Sequence, residues 1–175
     1  MRLHIAYIGG LAPHKGVHVL IDAVNQLPDT ARLTIYGDPD AQPEYMAQLR
    51  ARARHPHIEF AGRLPHTELY ATLDQIDVVV VPSVWYETSA LIVQEAAAAH
   101  VPVIASDLGA LRETTLKNGG LIFPTSDVGA LRSLLQKLID EPAQLDRLRA
   151  SLKAPRSIDD HVAEIEAVYH QVVSL

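Results

Sequence analysis

Residues 77–106 read DVVVVPSVWYETSALIVQEAAAAHVPVIAS, and the fold turns on this stretch. The four valines after Asp77 are apolar at every position, so both faces of the segment need cover; this is how a strand inside a parallel sheet reads. SALIVQEAAAA predicts a helix, with Ser89 as its N-cap. VPVIAS then returns to a strand. Five further runs carry a strand signature: LHIAYI, RLTIY and HIEFAG before this stretch, VPVIAS within it and LIF after it. With DVVVV they alternate with helical stretches. Val17, Leu20, Ile21, Val24 and Leu27 follow helical spacing, as do Leu131, Leu134, Leu135 and Leu138. The pattern predicts an α/β fold: a doubly wound parallel sheet of six strands, right-handed crossovers and helices on both faces.

After LIFP the strand signal stops and the chain reads as three helices, divided at Pro142 and Pro155. The last of these, over residues 155–175, carries Ile158, Val162, Ile165, Tyr169 and Val172 as an apolar stripe that calls for a packing partner. All of residues 1–175 read as one domain, of a size that buries its own core without staples.

Composition narrows the function classes. The chain has 48% hydrophobic and 21% charged residues, values of a folded globular chain. Its net charge of −6 disfavours a nucleic-acid surface, which needs a clustered cationic excess. There is no cysteine, which removes disulfides, thiol catalysis and Cys-based metal sites. No apolar run approaches the ~20 residues of a membrane span. The N-terminal MRLHIAYIGG makes a poor signal peptide, so the expected location is cytoplasmic.

In an open α/β sheet, ligands sit outside the carboxyl ends of the strands. The loops there read GGLAPHKG, GDPD, GRLPH, PSVWYETS, SDLGA and PTSD. In the first, Gly9 and Gly10 permit close backbone approach, and Lys15 precedes the next helix. Neither GxGxxG nor the Walker pattern matches, so spacing leaves two readings open, a tight turn with a solvated lysine or a phosphate cradle. In the fourth, Glu87 lies before the helix and Glu95 within it, beside the free amides around Ala90 and Leu91. That arrangement suits a phosphorylated sugar, amides to phosphate and carboxylates to hydroxyls. The competing reading is an exposed loop Glu and a solvated helix Glu, and the apolar, alanine-rich helix weighs against it. Asp38-Pro39-Asp40 resembles a metal-holding Asp-x-Asp, but after a strand it is ordinary turn chemistry. The nine histidines show no ligand spacing, and Ser83 and Ser106 lack a nucleophile elbow.

These residues resemble a known family. VVVVPSVWYETSALIVQEAAAAHVPVIASDLGALRE is similar to the signature region of group 1 (family 4) retaining glycosyltransferases, with Glu87 and Glu95 as its Glu-x7-Glu pair. IGGLAPHKGVHVLIDA, IEFAGRLPHTELYATLDQIDVVVVPS and NGGLIFPTSDVGALRSLLQKLI continue the match in order, across essentially the whole chain. The resemblance implies one Rossmann-like half of a GT-B fold, the C-terminal half that holds a nucleoside-diphosphate sugar such as a UDP or GDP sugar, without a metal or other cofactor. It implies a hexosyltransferase-type enzyme of which these residues are the donor-binding part, inactive alone.

By the same resemblance, Glu95 binds the ribose hydroxyls and Glu87 faces the donor sugar. Lys15 and the backbone of Thr88, Ser89, Ala90 and Leu91 hold the diphosphate, beside Gly9 and Gly10. Gly62 and Arg63 shape the nucleobase pocket. Glu87 and Lys15 are the catalytic pair, with Lys15 and the helix terminus stabilising the departing diphosphate. The acceptor-binding N-terminal domain is expected to be absent from these residues. The last helix would run back toward it, leaving an apolar face open to weak self-association; a full-length protein peripheral to a membrane fits the same expectation. Two positions depart from the family pattern: Gly10 stands where an Arg is usual, and His100 where a Gly is usual. The alternatives are a GT-B nucleotide-sugar epimerase and a non-catalytic nucleotide-binding module; the retained Lys15, Glu87 and Glu95 argue against the latter.

Overall fold

The computed structural model describes residues 2–88, 90–153, 155 and 157–173. Strands β1 (Leu3–Ile8), β2 (Ala31–Tyr36), β3 (Ile58–Gly62), β4 (Val78–Val81), β5 (Val103–Ser106) and β6 (Leu121–Phe123) form one sheet. Its order is β3-β2-β1-β4-β5-β6 with every pairing parallel, as the sequence predicts. The order reverses between β1 and β4.

The reason that β4 is apolar throughout is visible in its two faces. Val78 and Val80 enter one core, Val79 and Val81 the other. Each fully buried valine contributes on the order of 1.5–3 kcal/mol of hydrophobic stabilisation. The first core lies under α1 (Val17–Val24), α2 (Pro43–Arg52), α6 (Val128–Asp140) and α7 (Pro142–Ser151). The second lies under α3 (Leu69–Leu73), α4 (Leu91–Ala98) and α5 (Gly109–Lys117). β3, at the edge, alternates between exposed and half-buried positions. Below the sheet, Asp77 accepts from the His4 amide at 2.9 Å and from Arg149 at 2.8 Å, which docks α7.

Two features of α4 differ from or explain the sequence reading. Its N-cap position is Ala90 rather than Ser89; Ser89 lies outside the described residues, and Ala90 offers no side-chain oxygen to the first-turn amides. Its C-terminus closes in a Schellman motif, with the Val101 amide donating to Ala96 at 2.8 Å and the His100 amide to Ala97 at 3.1 Å. His100 therefore takes the left-handed conformation, φ 57°, which accounts for the family's usual Gly there.

The last helix, α8 (Ile158–Val173), has no buried residue. Ile158 is 71% and Tyr169 67% exposed, so the stripe expected to find a partner has none among the described residues.

Gly16 ties the fold to the site. It is left-handed at φ +68°, and a Cβ there would lie 1.9 Å from the Pro82 carbonyl oxygen after β4. Gly16→Ala is expected to cost about 2–4 kcal/mol, from backbone strain and the contact together. Urea unfolding measures it, and a loss under about 0.5 kcal/mol would show that the two loops do not meet.

Candidate functional site

The site is built where the strand order reverses. After β1 the chain runs through Gly9 and Gly10, buries Leu11, and makes a 3₁₀ turn over Pro13–Lys15. Pro13 sets the turn's first residue, and the Lys15 and Gly16 amides close it on Ala12 and Pro13 at 2.9 and 3.1 Å. The Val84 amide, in the loop after β4, donates to the His14 carbonyl at 2.9 Å. The loops after β1, β2 and β3 are also joined, by Gly9 to Tyr36 at 3.0 Å and Gly37 to Gly62 at 2.8 Å. Tyr7, buried beneath the glycines, donates its hydroxyl to the Gly10 carbonyl at 2.7 Å. Burial, with Tyr45 and Glu87 adding to it, pushes the Tyr7 phenol well above its ordinary range, so it stays a neutral donor.

This docking brings Lys15 and Glu87 together. The Lys15 ammonium donates to Oε1 of Glu87 at 2.8 Å and to Oε2 at 2.9 Å, and the Ser83 hydroxyl donates to Oε1 at 2.7 Å. The Glu87 side chain is 14% exposed, that of Lys15 30%. Burial pushes the Glu87 carboxyl up, but the Lys15 and Ser83 hydrogen bonds and the nearby Lys15 and His14 charges outweigh it, and the group is held below its usual range.

Two depressions share Ile8, Gly9 and Gly10. One, of about 200 Å³, is lined by Lys15, Ser83, Glu87, Ala90 and Leu91 among others. The second, of about 440 Å³, runs toward Asp38 and Arg63. Together they make one groove across the strand ends. Another hollow of about 440 Å³, between Pro13 and α2, lies on the outer side of the first loop and reaches neither Lys15 nor Glu87.

The expected residues divide accordingly. Gly9, Gly10, Lys15, Glu87, Ala90 and Leu91 line the inner end, and Arg63 the outer. A Cβ on Gly10 would meet nothing within 4 Å, so no backbone crowding requires glycine where the family usually has Arg. Gly62 is left-handed, φ 78°, and turns the chain out of β3. Thr88 is exposed beside the groove, and Ser89 lies outside the described residues. Glu95 lines neither depression, and its Oε1 lies 3.4 Å from His66 Nε2.

Arg63 pairs with Asp38, which also accepts from the Asp40 amide at 3.1 Å. These bonds, the Arg63 one foremost, hold the Asp38 carboxyl below its usual range. Asp38 is thus engaged as a turn-and-pair residue. The sequence reading missed Tyr7, Ser83 and His66. Ser83, four residues before Glu87 and just past a buried strand, reads from sequence only as a nucleophile without an elbow.

Residues 2–141 match the family described as "Glycosyl transferases group 1". Over 148 residues the chain is 36% identical to glycogen synthase of Mycobacterium tuberculosis, covering 82% of this chain and 35% of that protein. It is 33% identical over 172 residues to phosphatidyl-myo-inositol mannosyltransferase of Mycobacterium leprae, covering 93% of this chain and 44% of that one. Among solved structures, Anabaena Alr3699/HepE in complex with UDP and glucose superposes with a TM-score of 0.81 at 18% identity, over 99% of this chain and 49% of that one. Sucrose-phosphate synthase of Thermosynechococcus elongatus gives 0.80 at 26% identity, over 99% and 46%. The chain belongs to the group 1 glycosyltransferases, and its fold is that of a GT-B Rossmann-like domain. It spans a third to a half of the length of these relatives.

The depressed Glu87 carboxyl has a consequence for stability. Ionised Glu87 adds stability that is fully present above its unfolded pKa, about 4.3, and is lost as the pH falls through its lower folded-state value. Urea midpoints of the wild type and Glu87→Gln should therefore differ steadily above about pH 5 and converge in stronger acid. A gap that widens toward acid would contradict the ion pair.

Proposed function

We propose that the groove binds a nucleoside-diphosphate sugar and that the chain is the donor half of a retaining, metal-independent sugar transferase of the cytoplasm. The observation that carries this is the meeting of Lys15 and Glu87, residues 72 apart in sequence, at 2.8 and 2.9 Å. An ammonium has three N–H donors, and Glu87 takes two. The third is left for a phosphate oxygen, so one cation can touch both the diphosphate and the carboxylate beside the sugar. The N-terminal turn of α4, with no side-chain cap at Ala90, offers first-turn amides and the positive end of a helix dipole to the same anion.

In this reading, Lys15 and α4 stabilise the diphosphate as it departs from the anomeric carbon, a role that a divalent cation fills elsewhere. Thr88 and Ser89 complete the phosphate loop. The ionised Glu87 accepts hydroxyls of the sugar. The nucleoside lies along the Gly9–Gly10 edge toward Gly62 and Arg63, and Glu95 turns from His66 to the ribose. UDP in the Anabaena complex and the GDP-mannose dependence of a Corynebacterium glutamicum mannosyltransferase relative make both bases candidates. No helix among the described residues is long and apolar enough to cross a membrane. The acceptor belongs to a second domain, toward which α8 turns its stripe; uncovered, that stripe supports weak self-association.

Calorimetry in excess EDTA tests the division of roles. Glu95→Ala should weaken binding of the nucleoside diphosphate itself by roughly 1.5–3 kcal/mol. Glu87→Ala should affect mainly the sugar nucleotide. Equal losses for both ligands in both variants, or a strict need for magnesium or manganese, would overturn the assignment.

Transfer also requires an acceptor hydroxyl held about 3–3.5 Å from the anomeric carbon and shielded from water. The 175 residues alone are therefore expected to bind donor without glycosylating an acceptor. Robust transfer by this chain in a radiolabelled-sugar assay would show that it carries its own acceptor site.

A further inference from the structure

Glu87 is held by two donors of different character. Lys15 is partly open to solvent and is the cation that an incoming diphosphate would engage. Ser83 is 1% exposed, and its hydroxyl donates to Oε1 at 2.7 Å. It follows Pro82, whose carbonyl abuts Gly16, and precedes Val84, whose amide is bonded to His14. The backbone on both sides of Ser83 is thus fixed to the first loop, and its hydroxyl has a fixed origin. The Ser83 bond does not compete with a ligand for its donor, whereas the Lys15 bonds do.

We propose that Ser83 is a positioning residue for the donor sugar: its buried hydroxyl pins Oε1 of Glu87, so that Oε2 keeps its aim at the sugar hydroxyls when a diphosphate draws on Lys15. This deepens the donor-site reading and rests on it. The groups facing Glu87 are Lys15 and His14 from the first loop, Tyr7 from β1 and Ser83 from its own loop. Of these, Tyr7 is neutral, and the Lys15 ammonium is the group that phosphate oxygens would engage. A bound diphosphate adds negative charge beside the carboxylate and favours its protonation. The Ser83 hydrogen bond opposes that, because a donor to a carboxylate favours the charged form. The role is separable from that of a residue that merely fills space, since it acts on the sugar and on the proton affinity of Glu87.

The test uses Ser83→Ala and Ser83→Thr with two probe pairs, UDP with UDP-glucose and GDP with GDP-mannose, titrated between about pH 4 and 8. It is joined by a ¹³C carboxyl NMR titration of Glu87, assigned with Glu87→Gln. In Ser83→Ala the affinity for the sugar nucleotide should fall about tenfold, while that for its diphosphate changes less than about twofold. The acid limb of sugar-nucleotide binding and the Glu87 titration should both move to higher pH. Ser83→Thr, which keeps the hydroxyl, should restore both. Equal loss for diphosphate and sugar nucleotide, or a Glu87 titration that Ser83→Ala leaves in place, would overturn the role. If neither pair binds the wild type, the donor-site reading fails, and the carboxyl titration alone then decides whether Ser83 governs Glu87.

Discussion

The Val84 amide bonded to the His14 carbonyl, with Gly16 pressed on Pro82, is the contact on which the site depends. It joins the loops after β1 and β4, the strands between which the order reverses. A right-handed crossover from β1 goes one way and the crossovers beyond β4 go the other, so the two loops face each other across an open crevice. Backbone contact then does what side chains alone could not: it sets Lys15 within hydrogen-bond reach of Glu87 before any ligand arrives. The only residue that serves at the hinge is one free to turn left-handed with no Cβ, and that is Gly16. Below, Leu11 and Tyr7 hold the same loop to the core and to the Gly10 carbonyl.

The two ends of the groove are charged differently. At the inner end, cation, carboxylate and buried hydroxyl share one cluster, partly screened from water, where electrostatics act strongly. At the outer end, Arg63 and Asp38 form an exposed pair of the kind that adds little to stability and is easily re-paired. The inner end is preorganised and the outer end adaptable. Lys15 and the N-terminal turn of α4 face one pocket together with Glu87, so the cation there is already paired with a carboxylate before an anion arrives.

What the sequence makes readable here follows from periodicity. Four valines in a row predict a strand covered twice, and the alternation of Val78 and Val80 with Val79 and Val81 between two cores is the physical content of that pattern. The His100 departure is intelligible once the Schellman closure is seen, because a left-handed position tolerates His poorly rather than not at all. Loops carry no period. Nothing in the spacing of Ser83 and Glu87, or of His66 and Glu95, tells which way the side chains turn after the strand ends. The start of α4 is hard to read for a related reason: Ser is the better cap, but the helix opens at Leu91 with Ala90 in the N-cap position. Capping preference is worth on the order of 1 kcal/mol, which packing of Val93 and Ala96 into the second core easily exceeds.

The same accounting bears on α8. A helix of 16 residues is marginal in water by itself, because nucleation is costly and propagation returns little per residue. Helices of that length in proteins persist by burying a face. α8 has the face, with Ile158, Val162, Ile165, Tyr169 and Val172 on one side and Asp159 and Asp160 in its first turn, but every one of these apolar residues is exposed. The first core is closed to the stripe by α6 and α7, whose Leu131, Leu135 and Leu145 are buried there, and the second by α3, α4 and α5. At 1.5 Å per residue, a surface that covered the stripe along the whole helix would be apolar and about 24 Å long.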